Sequence, residues 1–90
     1  MHIQDLIWNE YNVEHIAAHQ VTPDEVEDAI WDSPLFERRR GKQRFHVYGQ
    51  TSAGRYLFIV LDRESDVLFY VVTARDMTGR EKAYYQRKRR

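Results

Sequence analysis

The chain has 90 residues, 42% of them hydrophobic, a formal net charge of zero and no cysteine. One domain, residues 1–90, is what this length allows, and such a chain buries only about 60–65% of the surface its unfolded form exposes. The missing cysteines exclude a disulfide framework, a thiol nucleophile and a cysteine-based zinc site. The longest apolar stretch, Tyr56 to Leu61, is too short to span a bilayer, and Met1 to Asp5 do not form a basic export leader, so a soluble cytoplasmic protein is expected.

The net charge of zero conceals two opposed halves. Residues 1–36 hold eight Asp and Glu and no Lys or Arg, whereas residues 37–90 hold all fourteen Lys and Arg against six Asp and Glu. The halves therefore carry formal charges of −8 and +8. A basic half that ends in Arg87-Lys88-Arg89-Arg90 and carries His46, Tyr48, Tyr84 and Tyr85 among its charges suits a polyanion such as RNA, or else is a set of solvated faces.

In chain order, Ile3, Leu6, Ile7 and Trp8 predict a short first strand, and Val13, Ile16 and Ala17 a helix within Asn9 to Gln20. Thr22-Pro23-Asp24-Glu25 reads as a capping box with proline in the first turn. It opens a second helix to about Asp32, with Val26, Ala29 and Ile30 inward and Ser33-Pro34 as its stop. Trp8 and Trp31 are expected in the core. From residue 43 the period changes from helical to alternating: Phe45, Val47 and Gly49 share one strand face, Arg44, His46, Tyr48 and Gln50 the other. Hairpin loops at Thr51 to Gly54 and Asp62 to Asp66 then predict an antiparallel meander of three strands, apolar on both faces at its centre and so covered on both sides. Thr78-Gly79-Arg80-Glu81 is a second capping box and opens a terminal helix. The expected fold class is α+β: an antiparallel sheet of three to four strands, packed by two N-terminal helices and one C-terminal helix.

Metal-independent RNA cleavage needs a base for the 2′-hydroxyl, an acid for the leaving oxygen and cations for the phosphorane. His46, the histidine of the basic half, suits either proton role, or is a polar residue on an open face. Arg75, between a strand and a helix N-terminus, suits a phosphate, or pins the turn by pairing with Asp76 or Glu81. Arg44, Arg55 and Arg80 are candidates to track an RNA backbone, or else are simply solvated. Glu81 belongs first to its capping box and second to catalysis; Tyr48 and Tyr84 either stack on a base or pack on the sheet. His15 and His19 share a helix face at i, i+4, but without the glutamate of a zinc-protease helix or an obvious third ligand, so no metal or cofactor is expected and His15 is kept as an accessory RNA contact.

Val72 to Glu81, followed by Tyr84, resembles the C-terminal signature of the BrnT family of type II toxins. Trp8-Asn9-Glu10 with Asn12 and His19, Thr22 to Val26, and Tyr48-Gly49-Gln50-Thr51 with Gly54-Arg55 resemble its other motifs, in the same order over nearly the whole chain. The resemblance implies a RelE-like ribonuclease fold that cuts RNA and arrests growth, held in check by a ribbon-helix-helix antitoxin, with operator DNA reached only through that antitoxin. The chain departs from the family pattern at Gln20, where glycine is usual, and at Gln50, where arginine is frequent.

Overall fold

The computed structural model describes residues 3–32, 34–39 and 43–89; the helix stop read at Ser33 and the end of the basic tail at Arg90 lie outside them. The elements are β1 (Asp5–Ile7), α1 (Glu10–Ala17), α2 (Pro23–Trp31), β2 (Leu35–Arg38), β3 (Arg44–Gln50), β4 (Tyr56–Arg63), β5 (Leu68–Asp76) and α3 (Gly79–Lys88). The α+β expectation holds, with a larger sheet. Five strands lie in the order β1-β5-β4-β3-β2, and β1 runs parallel to β5 while the other pairs are antiparallel. The expected meander is β3-β4-β5. Strand β2 went unread because Leu35-Phe36-Glu37-Arg38 is short, does not alternate cleanly and follows a proline; its pairing with β3 makes it a strand.

Local chemistry sets the helix ends. The boxes at Thr22/Glu25 and Thr78/Glu81 form as read, and a third joins Asn9 to Asn12 at the start of α1. Helix α1 is shorter than expected because Gln20 takes a left-handed conformation, φ 61°, while Gln20 N–H donates to the Ala17 carbonyl and Val21 N–H to that of Ile16. This left-handed closure is one that glycine adopts without steric cost.

Both sheet faces are covered. Ile16, Val26, Ala29 and Ile30 from α1 and α2 pack on Phe45, Val47, Leu57, Ile59, Leu61, Phe69 and Val71. Gly49 lets α2 approach β3, since a β-carbon there would stand 2.8 Å from the Ala29 carbonyl oxygen. The opposite face carries Tyr48, Phe58, Val60, Met77 and Tyr85, with α3 lying across it. Trp31 corrects its core expectation: it is 50% exposed, because the inward stripe of α2 is Val26, Ala29 and Ile30, and position 31 turns about 200° from Ala29. Its indole N–H donates to Glu27, as does that of the half-buried Trp8.

One irregularity decides which side chains meet on the α3 side. Leu61 pairs with Val71, yet Val60 pairs with Thr73, so Val72 is an extra residue in β5. Strict alternation from Phe69 and Val71 would send residue 75 into the α1/α2 core. The bulge reverses the phase, so Ala74 enters that core and Arg75 stands opposite Phe58 on the α3 side. No helix among the described residues is long and apolar enough to cross a membrane.

Candidate functional site

The α3 side of the sheet collects most of the residues singled out from sequence. Cross-strand pairing sets Glu37, His46, Val60 and Thr73 in one row and Leu35, Tyr48, Phe58 and Arg75 in the next. Phe58 is the hub. His46 meets its ring edge to face at a centroid separation of 5.0 Å, Tyr48 does so at 5.2 Å, and the Arg75 guanidinium lies 4.4 Å from its centroid. Burying one ring between a histidine and a cation thus holds both side chains in place.

Helix α3 closes the site from above. Glu81 grips Arg75 through two parallel bonds of 2.8 and 2.9 Å while also accepting from the Thr78 backbone N–H at 2.9 Å, so it serves as cap and counter-ion together. Arg75 also donates to the Asp76 carbonyl at 3.0 Å. One turn on, Tyr84 meets Tyr48 at a ring separation of 5.4 Å and donates its hydroxyl to Glu37 Oε2. Glu37, Tyr48, Arg80, Glu81, Ala83, Tyr84 and Arg87 line an open cleft of about 460 Å³. Arg80 and Arg87 stand on the exposed side of α3, with the Arg87 guanidinium 5.7 Å from the Tyr84 ring centroid.

The electrostatics divide the roles. Burial, reinforced by the positive charges of Arg39 and Arg44, lowers the His46 pKa against the opposing pull of Glu37 and Glu81, which favours the neutral imidazole, the form that accepts a proton. The hydrogen bonds from Arg75 lower the Glu81 pKa despite its burial, and the same pair raises that of Arg75. Burial and the neighbouring Glu37 and Glu81 carboxylates raise the Tyr48 pKa, so its phenol stays protonated.

His46, Tyr48, Arg75, Glu81 and Tyr84 are therefore brought together, with Arg80 on the rim. Arg44 shares the sheet face of His46, but its guanidinium is engaged by Asp62 in bonds of 2.7 and 2.9 Å. Arg55 is elsewhere. It binds Asp76 at 2.7 Å, Glu25 at 3.0 Å and the Gln20 carbonyl at 2.7 Å, tying the β3–β4 hairpin to the α1–α2 turn. His15 is exposed on α1, in the layer across the sheet from His46, with its ring 5.6 Å from that of His19. A group of three or more His, Asp or Glu placed to hold a metal ion does not occur among the described residues.

Two participants escaped the sequence reading. Glu37 lay in the unread strand β2; only its register opposite His46 and its bond to Tyr84 bring it to the site. Arg89 looked like undifferentiated tail, yet its guanidinium donates to Gln50 Oε1 at 3.1 Å, placing a cation beside the end of β3. No family model matches the chain, and no curated protein matches it.

Proposed function

We propose that this protein is an endoribonuclease toxin of the BrnT type with a RelE-like fold, working in the cytoplasm and neutralised by a ribbon-helix-helix antitoxin through which alone operator DNA is reached. The observation that carries the reading is the meeting of His46 and Arg75 on the two sides of Phe58, a proton acceptor and a phosphate-binding fork on one rigid sheet face. In this mechanism the neutral His46 removes the proton of an RNA 2′-hydroxyl. The 2′-oxygen then attacks the adjacent phosphorus, the bond to the 5′-oxygen breaks, and the products are a 2′,3′-cyclic phosphate and a 5′-hydroxyl. Arg75, on leaving Glu81, would neutralise the charge that gathers on the phosphorane oxygens. The proton for the departing 5′-oxygen comes from the histidine of this site or from Tyr84, and pH–rate profiles of His46→Ala and Tyr84→Phe separate the two. Arg80 and Arg87, with Tyr48 and Tyr84, supply phosphate and stacking contacts.

A second reading, a non-catalytic module that binds nucleic acid or the antitoxin, is favoured by the two-bond closure of Arg75 on Glu81. The test is expression of the chain alone in a bacterium beside folded His46→Ala and Arg75→Ala variants, with growth and RNA 5′ ends followed together. Arrest with new RNA ends that both substitutions abolish supports the nuclease; normal growth with intact RNA and soluble protein favours the binding module.

A further inference from the structure

The cleft beside the proposed cleavage centre contains a carboxylate that the chemistry above does not use. Glu37 Oε2 accepts the Tyr84 hydroxyl, while among the described residues nothing bonds to Oε1, and the side chain lines the cleft. The other cleft carboxylate, Glu81, differs: both of its oxygens are taken by Arg75 and Thr78. Around Glu37 stand the rings of Tyr48 and Tyr84, with the Arg80 and Arg87 guanidiniums at the outer edge. An open space of about 460 Å³ lined by the Tyr48 and Tyr84 side chains, the Glu37 carboxylate and the exposed Arg80 and Arg87 has the size and polarity of a subsite for one nucleotide.

The four RNA bases differ in what they offer such an acceptor. Guanine alone presents two adjacent donors, N1–H and the N2 amino group, which meet Oε1 and the second lone pair of Oε2 as a two-bond fork. Adenine and cytosine place a ring acceptor beside their amino donor, and uracil flanks its one N–H with two carbonyls, so each turns a lone pair toward the carboxylate. A site built to receive two donors rejects partners that leave its oxygens unpaired or repelled. We propose that the Glu37 cleft is a nucleobase subsite that selects guanine in single-stranded RNA. This rests on the RNA reading of the neighbouring centre and adds a sequence preference to it.

The test is equilibrium titration of the full chain with nuclease-resistant 2′-O-methyl hexauridine carrying one central guanine, adenine or cytosine, for the unaltered protein and for Glu37→Gln. Glutamine still accepts the Tyr84 hydroxyl but replaces one acceptor by a donor, which matches the amino-and-ring-nitrogen edges of adenine and cytosine. The expected result is binding at least about tenfold tighter for the guanine oligomer, with Glu37→Gln losing that margin and gaining for adenine and cytosine, at an unchanged melting temperature. Equal, salt-sensitive binding of all three oligomers overturns the guanine subsite and leaves RNA binding intact. Binding of none overturns both. A guanine preference that survives Glu37→Gln overturns the role of Glu37.

Discussion

Asn12 shows how much one polar side chain decides. Buried at the foot of α1, it donates its amide to the Ile7 carbonyl at 2.9 Å and the Val71 carbonyl at 3.0 Å, while its oxygen accepts the Asn9 N–H at 2.8 Å. It therefore joins β1, α1 and β5. Asn12→Ala leaves those buried groups without partners and is expected to lower unfolding free energy by about 2–4 kcal/mol in urea titrations. His46 makes a pH-dependent contribution of opposite origin. Burial, aided by Arg39, lowers its pKa below the ordinary 6.5, so the folded chain binds this proton less readily than the unfolded one. Its contribution is complete above the unfolded value and is lost as pH falls through that value toward the folded one. The stability difference between the unaltered protein and His46→Gln, followed by urea unfolding from neutral to mildly acidic pH, should shift against the unaltered protein as the pH drops.

At the scale of elements, two irregular positions matter more than the regular ones. Gln20 ends α1 at φ 61°, a conformation that costs a side-chain-bearing residue about 1 kcal/mol or more. Gln20 also accepts a bond from Arg55 at its carbonyl, which fixes the turn that follows α1. Gln20→Gly is expected to raise the melting temperature by a few degrees, read by circular dichroism. The extra residue Val72 is the second case. Because Val72 is left out of the pairing, Ala74 fills the core and Arg75 reaches Phe58; were Val72 paired in regular alternation, the guanidinium would enter the apolar layer under α1 and α2. Deleting Val72 leaves Ala74 inward and Arg75 on the α3 side by plain alternation, so the deletion variant should still unfold cooperatively, and Val72→Ala, which trims a half-buried side chain, should keep the fold with a loss of about 1 kcal/mol, both followed by circular dichroism.

Across the whole molecule the opposed charges of sequence become opposed faces. The carboxylates of α1 and α2 lie in the layer on one side of the sheet, while Arg75, Arg80 and Arg87 lie on the α3 side. Part of the contrast is neutralised internally, since Arg55 reaches across to Glu25. The α3 side keeps its exposed cations and so suits a polyanion approaching from that direction. RNA affinity should fall linearly on a log–log plot against salt. The double substitution of Arg80 and Arg87 by alanine should reduce the slope by about 1.4 if each arginine meets one phosphate of a single strand, as measured by anisotropy titrations at several salt concentrations.

Parts governed by neighbours along the chain were legible in the residues: two capping boxes, the inward stripe of α2, the alternation of β3 that puts His46 and Tyr48 together, and the β3-β4-β5 meander. Each follows from spacings of two to four residues, over which local geometry is nearly fixed. The rest came from contacts between segments far apart in the chain. The parallel seat of β1 beside β5 and the strand character of residues 35–38 depend on hydrogen bonds to distant partners. Glu37 joined the site, and Arg55 and His15 fell outside the cleft, because a side chain's neighbours across a sheet depend on register and on which layer carries it. A single bulge reversed the facing of Arg75, and no pattern within one strand announces which residue the partner strand will leave unpaired.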